Sequence, residues 1–295
     1  MIDPAYIENA LPAPPEGRYA AIIGRSPSKG ARSPVLWNAA FAALDDPARM
    51  FAFDVSEDAL ERLLAALDAD PLFIGGAVTM PHKESVARWL GASRMGPTVD
   101  AIGAVNCLFR GTGGRLHGTN TDGAAALLCA ESTFGPVSGK PVLLLGAGGA
   151  GKAVAAYFAA AGAKLRLASR EPGRIESFAA SIGAETIGYP VEPHDAVSTQ
   201  LLVNCTPIGF RSHSAASPVD KAFLSQLPTD AGVYDIIYDP CPTPLLTDAD
   251  EAGIPILDGR SMNLEQAILA FRHAVPMAGD EEVMPRAMQA AAGAL

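Results

Sequence analysis

Two short stretches of this chain carry residue types that could move a proton. Thr79-Met80-Pro81-His82-Lys83-Glu84 puts Lys83 in the first turn of a helix-forming run. Gly118-Thr119-Asn120-Thr121-Asp122-Gly123 puts Asp122 at a turn just ahead of an Ala-rich run. A lysine and an aspartate at the ends of such elements can converge on one hydroxyl. Oxidation of an alcohol by hydride transfer needs a base for the hydroxyl proton. Lysine serves where its surroundings favour the neutral amine, and a neighbouring carboxylate would hold both it and the hydroxyl. Spacing alone leaves the plainer reading open as well: a surface lysine, and an aspartate that caps a helix.

A third stretch could cradle phosphate. Gly146-Ala147-Gly148-Gly149-Ala150-Gly151 directly follows the apolar run Val142–Leu145 and opens a helical pattern. This is G-x-G-x-x-G in the strand-to-helix context that gives it meaning. The first glycine permits the tight turn, the second lets the backbone approach a pyrophosphate, and the third lets helix and strand pack closely. Helix N–H groups then face the phosphates. Gly146 to Lys152 also fits G-x-x-x-x-G-K, the phosphate loop of nucleotide hydrolases. Ala153 follows, where that loop needs a Ser or Thr hydroxyl for magnesium, so the hydrolase reading is set aside.

Cofactor choice is read about 20 residues further on, where an NAD enzyme places Asp or Glu on the ribose hydroxyls. This chain has Ser169-Arg170 there, with Arg174 one helical turn beyond. A guanidinium holds a 2′-phosphate through its planar fork. NADP(H) is therefore favoured and NAD(H) kept as the second option, because Glu171 would repel the extra phosphate if it turned inward.

These groups need elements to position them. Apolar runs at Tyr19–Gly24, Phe51–Val55 and Leu72–Thr79 read as strands. Helices are expected from Ser33-Pro34, with the Ser33 hydroxyl as cap, from Ser56, and over Pro81–Leu90. Val105–Arg110 and the turn Gly111–Gly114 suggest a hairpin. The second half alternates more cleanly. Strands are expected at Pro141–Leu145, Lys164–Ala168, Leu201–Asn204, Val233–Ile237 and Ile254–Leu257, and helices at Ala150–Ala161 and Arg174–Ile182. Strands separated by helix-length segments imply parallel pairing through right-handed crossovers. From Leu264 the pattern is helical, with breaks expected at Pro276 and Pro285. The fold class is α/β: an N-terminal α/β substrate domain plus a doubly wound, Rossmann-type dinucleotide domain. The expected domains are 1–121, joined by 259–295, and 122–258.

Composition bounds the partners. Of 295 residues, 22 are Lys or Arg and 32 Asp or Glu, a net charge of −10, and 49% are hydrophobic. That is ample material for a core, and the acidic balance disfavours nucleic acid, which needs a basic surface. Apolar runs such as Pro141–Gly151 stop well short of the ~20 residues of a spanning helix. With Asp3, Glu8 and several prolines near the start, no secretory signal is read. The four cysteines, Cys107, Cys129, Cys205 and Cys241, have no metal-ligand spacing, so they read as reduced thiols of a cytoplasmic protein with no metal. A small-molecule substrate, a monomer or homodimer, and no membrane complete that expectation.

Taken in order, the motifs resemble the shikimate dehydrogenases from Gly24 to about Phe271. The matching pieces are Gly24…Ser33-Pro34, Val78-Thr79-Met80-Pro81-His82-Lys83, Gly103-Ala104-Val105-Asn106, Gly118–Gly123 and Gly146–Ala150. Then come Asn204-Cys205-Thr206-Pro207-Ile208-Gly209, Tyr238-Asp239-Pro240 with Thr243-Pro244-Leu245, and Asp258-Gly259 with Gln266. The resemblance implies two domains with the active site in the cleft between them, and C-terminal helices that return to the first domain. It implies reversible NADP-dependent oxidation of the shikimate ring hydroxyl to 3-dehydroshikimate, an aromatic amino acid biosynthesis (chorismate pathway) step. By position it implies that Lys83 and Asp122 are the catalytic pair, and that Ser33, Thr79, Asn106, Tyr238 and Gln266 meet the substrate. Gly146, Ala147, Gly148, Gly149, Ala150, Ser169, Arg170, Arg174, Thr206 and Gly259 would meet the cofactor. Ser169 replaces the family's Asn, and Glu171 its small hydroxyl residue, in the phosphate-clamping pattern.

Two departures bear on the substrate. The family's first loop usually reads Ser-x-Ser-Pro, with both hydroxyls on the substrate carboxylate. Here it reads Ala31-Arg32-Ser33-Pro34 and is one residue longer. Ala77 stands where the family commonly has Asn. Each lost hydrogen bond to a charged group costs about 1.5–3 kcal/mol. Either Arg32, Lys29 or Ser28 supplies replacement contacts, or the pocket suits quinate, an aminoshikimate-like molecule or a less polar hydroxy acid. A protein of another class, a non-catalytic sensor of the reduced cofactor or a metabolite, would need neither Lys83 nor Asp122. Among the remaining residues, His82 is expected exposed at a helix start and His117 without a partner. Trp37, Phe41, Tyr157 and Phe158 are expected in the core, and Cys205 as a small hydrophobe.

Overall fold

The computed structural model describes residues 3–11, 17–210, 216–275 and 282–294. The chain divides into two compact units, 1–121 with 264–295, and 122–263. The second crossing falls inside a helix, five residues later than the Gly259 boundary read from sequence.

The first unit runs β1 (Tyr19–Gly24), α1 (Ser33–Ala43), β2 (Arg49–Asp54), α2 (Glu57–Ala69), β3 (Phe73–Val78), α3 (Lys83–Leu90), α4 (Pro97–Ile102), β4 (Cys107–Arg110) and β5 (Leu116–Thr119). Its five-stranded sheet has the order β2-β1-β3-β4-β5. β1 pairs in parallel with β2 and β3, while β4 and β5 form an antiparallel hairpin on the β3 edge. Every residue of β1 and β3 is buried, as central strands covered on both faces require. Gly75 and Gly76 do not weaken β3 so much as permit it. A β-carbon on Gly76 would lie 2.0 Å from the Ala21 carbonyl oxygen, and one on Gly75 2.2 Å from that of Leu108.

Two apolar layers flank this sheet. One gathers Phe53, Leu63, Leu64, Phe73 and Val86. The other joins Trp37 and Phe41 of α1 to Phe271, whose ring centroid is 5.0 Å from each. Phe271 lies on α11 (Gly259–Ala274), and α12 (Val283–Gly293) adds Met284 and Met288 to the same layer. The C-terminal helices thus return to this unit through aromatic packing. Pro285 does not break α12; it sits in the first turn, where a missing N–H is tolerated. Pro276 lies outside the described residues. The Ser33 side chain does not cap α1, since Arg32 is the cap residue and no side-chain cap bond forms.

The second unit runs α5 (Asp122–Phe134), β6 (Pro141–Leu145), α6 (Gly149–Ala160), β7 (Lys164–Ser169), α7 (Glu176–Ser181), β8 (Glu185–Gly188), α8 (Pro193–Ala196), β9 (Leu201–Asn204), α9 (Lys221–Leu224), β10 (Gly232–Asp235), α10 (Pro244–Glu251) and β11 (Ile256–Leu257), and takes in the start of α11. Its sheet is parallel throughout, in the order β11-β10-β9-β6-β7-β8. The chain proceeds outward from β6 to β7 and β8, then crosses back to β9. The β6/β9 boundary is therefore the topological switch point, the place where open parallel sheets bind ligands. The segments α4, β8, α8, α9 and α10 are additions to the sequence reading; several are too short for periodicity to show. No helix among the described residues is long and apolar enough to cross a membrane.

Candidate active site

Lys83 is half-buried and is the first residue of α3. The turn ahead of it is fixed at both ends. Thr79 N–H donates to the Ile23 carbonyl at 2.9 Å, its own carbonyl accepts from His82 N–H at 3.0 Å, and the Lys83 carbonyl accepts from Val105 N–H at 3.0 Å. His82 corrects the sequence expectation. It is fully buried rather than exposed, with Nε2 2.7 Å from the Val55 carbonyl oxygen. A carbonyl only accepts, so Nε2 carries the proton and the imidazole ties α3 to the end of β2.

Asp122 opens α5 and is buried. Its preceding residue is held from the first unit's hairpin. Asn106 Oδ1 accepts from Thr121 N–H at 2.7 Å, Asn106 Nδ2 donates to Thr121 Oγ1 at 2.9 Å, and Thr121 Oγ1 donates to the Gln266 carbonyl at 3.0 Å. Asn106 and Gln266, both expected at the substrate, thus come together on Thr121. Ser33 is buried at the start of α1, and Thr79 is half-buried against Gly24. Tyr238, in the second unit, is half-buried just past β10.

Two of the residues offered as replacements for the altered first loop, Ser28 and Arg32, are turned to other partners. Ser28 N–H and Oγ both donate to the Asp54 carboxylate, at 2.9 and 2.5 Å. Arg32 Nη2 donates to the Ala292 carbonyl of α12 at 3.0 Å. Ala31 and Ala77 lie in one apolar layer with Ile22, Trp37 and Phe109.

In the second unit the glycine-rich turn has the shape a pyrophosphate requires. Gly146 has φ +88°, reachable at little cost only by glycine. A β-carbon on Gly151 would lie 2.1 Å from the Gly146 carbonyl oxygen, so helix and turn close on each other there. A β-carbon on Gly148 would meet nothing within 4 Å, and no side chain caps the α6 N-terminus at Gly148. Open space in front of uncapped helix N–H groups fits a dinucleotide phosphate. Ala147, Gly149 and Ala150 complete this turn into α6. Lys152 lies with Nζ 5.9 Å from the Phe178 ring centroid, a cation–π placement.

At the end of β7 Ser169 Oγ accepts from Glu171 N–H at 3.2 Å, and Arg170 is exposed. Arg174 Nε lies 2.8 Å from Glu171 Oε2, so the carboxylate that counted against NADP is paired with a guanidinium. On the other side of β6, Asn204 Oδ1 accepts from Thr206 N–H at 3.0 Å and Thr206 Oγ1 at 2.7 Å. A β-carbon on Gly259 would lie 2.1 Å from the Ile236 carbonyl oxygen, so Gly259 permits contact with the exit of β10. Burial pushes the Cys205 thiol well above its ordinary range, which leaves it inert and fits its reading as a small hydrophobe. His117 does have a neighbour, the Phe109 ring at 5.9 Å.

Sheet order, glycine turn and uncapped helix define a dinucleotide-binding α/β protein. The comparisons narrow this class. A family model, the shikimate dehydrogenase substrate binding domain, matches residues 22–108. Shikimate dehydrogenase (NADP(+)) of Symbiobacterium thermophilum is 36% identical over 285 residues, covering 93% of this chain and 95% of that protein. The structure of shikimate 5-dehydrogenase from Thermus thermophilus with NADP(H) and shikimate matches with TM-score 0.79 and 30% identity, over 93% of this chain and 99% of that one. Quinate dehydrogenase from Corynebacterium glutamicum, in complex with NAD, matches with TM-score 0.80 and 26% identity, over 93% and 99%. The chain belongs to the shikimate dehydrogenase family.

Proposed function

We propose that this protein is an NADP-dependent oxidoreductase that interconverts shikimate and 3-dehydroshikimate. The observation that carries the reading is the match to an NADP-dependent shikimate dehydrogenase at 36% identity across 93% of the chain. Within it, Lys83 and Asp122 stand at the first positions of α3 and α5. Bound NADP supplies the hydride acceptor. Lys83 takes the hydroxyl proton as the hydride leaves, and Asp122 accepts a hydrogen bond that holds the hydroxyl and the amine in line. Asn106 and Gln266 support Asp122 through Thr121, while Ser33, Thr79 and Tyr238 face the substrate. Gly146–Ala150 hold the pyrophosphate, Arg170 the 2′-phosphate beside Ser169 while Arg174 pairs with Glu171, and Thr206 and Gly259 the nicotinamide side. Retention of the Lys83/Asp122 pair argues against a non-catalytic sensor. The four cysteines, none of them in a disulfide, suit the cytoplasm, and the working form is a monomer or homodimer.

A second reading keeps this chemistry and changes the acid. It is favoured by one observation: Ala31 and Ala77 share an apolar layer, while Ser28 and Arg32 are held by Asp54 and Ala292. Quinate, an aminoshikimate-like molecule or another hydroxylated carboxylate would then be the better substrate.

Steady-state formation of reduced cofactor, crossing shikimate and quinate with NADP and NAD, tests both. Robust turnover of shikimate with NADP is the expected result. Cofactor binding with no shikimate turnover would overturn the main reading and favour the second.

A further inference from the structure

We propose that Asp235 is a positioning residue for the nicotinamide half of the cofactor, acting through Asn204 on the Cys205–Gly209 turn. This rests on the NADP-binding reading of the second unit.

Asp235 is the last residue of β10 and has no exposed surface. Its carboxylate collects three donors. Oδ1 accepts from Asn204 Nδ2 and from Ile237 N–H, each at 3.0 Å, and Oδ2 accepts from Thr243 Oγ1 at 2.8 Å. An ionised carboxylate can only accept. It therefore dictates which way the Asn204 amide faces, with Nδ2 toward Asp235 and Oδ1 toward the turn. Asn204 Oδ1 then takes both the N–H and the hydroxyl of Thr206, and Nδ2 also donates to the Ile208 carbonyl at 3.2 Å. Thr206 Oγ1 in turn accepts from Ile208 N–H at 3.1 Å. Each polar atom of the Asn204 side chain is used, and its orientation passes directly to the turn.

The turn lies where a nicotinamide ring must pass. β6 carries the phosphate turn and β7 the adenosine-side arginines, so the other half of a dinucleotide extends over β9, across the switch point. The turn follows β9 and is seated against the glycine-rich loop. A β-carbon on Gly146 would lie 2.9 Å from Thr206 Cγ2, and one on Gly151 3.3 Å from Cys205 Cβ. A rotation of the Asn204 amide releases Thr206 from Oδ1 and moves this wall relative to the phosphates. The adenosine side, held at β7, does not depend on it.

The test is Asp235→Asn, followed by three readouts: emission of NADPH on binding, affinity for adenosine 2′,5′-bisphosphate, and kcat with NADP. The amide that this substitution introduces adds a donor and removes an acceptor. NADPH seating and kcat should each fall by at least about tenfold, the equivalent of one lost hydrogen bond to a charged group. Affinity for the bisphosphate should stay within about twofold, because that ligand stops short of the turn. Thr243 supplies an independent pair. Thr243→Ser keeps the hydroxyl donor and should behave as the parent, whereas Thr243→Val should show the same split as Asp235→Asn. A purely structural role would lower thermal stability in both Thr243→Val and Asp235→Asn with unchanged kcat per folded molecule, and that outcome overturns the proposal. Failure of the parent protein to bind NADPH would instead overturn the cofactor reading on which it rests.

Discussion

Asn106 Oδ1 accepts the backbone N–H of Thr121 at 2.7 Å, and both side chains are buried. The bond joins the residue just before β4 to the residue just before Asp122, and so sets where α5 begins. Asn106→Ala leaves a buried N–H and a buried hydroxyl with fewer partners, a loss of about 1–3 kcal/mol per unsatisfied group. The expected outcome is a lowered urea midpoint together with a kcat reduced by at least about tenfold. Asn106→Asp, which keeps the acceptor for Thr121 N–H, should recover part of the stability. Equal losses in both variants would argue against this role.

Lys83→Ala should abolish turnover and leave the cofactor in place. General acid–base groups contribute on the order of 10²–10⁴ in rate, and Lys83 lies in the first unit while the glycine turn lies in the second. NADPH titration followed by fluorescence should therefore be unchanged while kcat falls by that factor. Near-normal turnover would remove Lys83 from the proton-transfer role.

Cofactor choice should depend on Arg170 more than on Arg174. Arg174 is committed to Glu171 at 2.8 Å, whereas Arg170 is exposed at the end of β7. Arg170→Ala should raise KM for NADP by roughly tenfold to a hundredfold, the value of a charge-assisted pair, and leave KM for NAD nearly unchanged. Arg174→Ala should weaken NADP binding indirectly by releasing the Glu171 carboxylate, and Glu171→Gln in the same chain should restore it. Additive losses in the Arg174→Ala/Glu171→Gln pair would show that Arg174 meets the phosphate itself.

Substrate preference can be probed by restoring the polar groups the first loop lacks. Ala31 is half-buried and Ala77 is 6% exposed in one apolar layer. Ala31→Ser and Ala77→Asn, alone and together, should each improve kcat/KM for shikimate by up to about tenfold if a carboxylate is bound there, since each adds one bond to a charge. A decrease for shikimate beside unchanged turnover of another hydroxy acid would point to the second reading.

Much of this organisation was legible in the residues. β1 and β6 are continuous apolar runs with the expected bounds, and the glycine spacing of Gly146–Gly151 fixed the class of the second unit. The failures have physical causes. His82 was expected at the surface because a histidine at a helix start has no sequence signature of burial; its carbonyl partner, Val55, lies 27 residues away. The short α8 and α9 are defined by caps, not by periodicity: Glu192 and Asp195 form a reciprocal capping box, and Asp220 accepts from Phe223 N–H at 2.8 Å. Pro285 reads as a helix breaker until its first-turn position is known. Asp235 carried a faint signal, a lone acid in the apolar run Val233–Ile237, and such a residue is tolerated only when partners from distant segments satisfy it.

Burial makes the Asp235 carboxyl a source of pH dependence. Burial is the largest influence and pushes its pKa from 3.8 up to about 6, against the opposing bonds from Ile237, Thr243 and Asn204. The folded protein then holds a proton between roughly pH 4 and 6 that the unfolded chain has already released. Stability from this group is therefore greatest at low pH and is lost as pH rises through that window, by roughly 3 kcal/mol for a shift of this size. Function runs the other way. All three partners are donors toward the carboxylate, so the added proton displaces one of them and loosens the Asn204 amide. Cys205, Tyr234, Cys241 and Asp258, which are electrostatically linked to this carboxyl, do not share the window. Burial pushes the Cys205 thiol and the Tyr234 hydroxyl far up, and burial with the Asp258 hydrogen bond takes Cys241 to about 11. At Asp258, linked through Cys241, burial is outweighed by the Arg260 bonds, and its carboxyl stays below the ordinary value. Other carboxylates, Asp68 and Glu251 among them, are stabilised in the ionised form and give a slope of opposite sign. The difference between parent and Asp235→Asn isolates the one group. Urea unfolding from pH 4 to 7 should show the parent losing stability relative to the variant as pH rises, levelling above about 6. NADPH emission should weaken in the parent as pH falls through about 6, with no such limb in the variant. Parallel stability curves would place the Asp235 pKa near 3.8 and remove the pH dependence assigned to it.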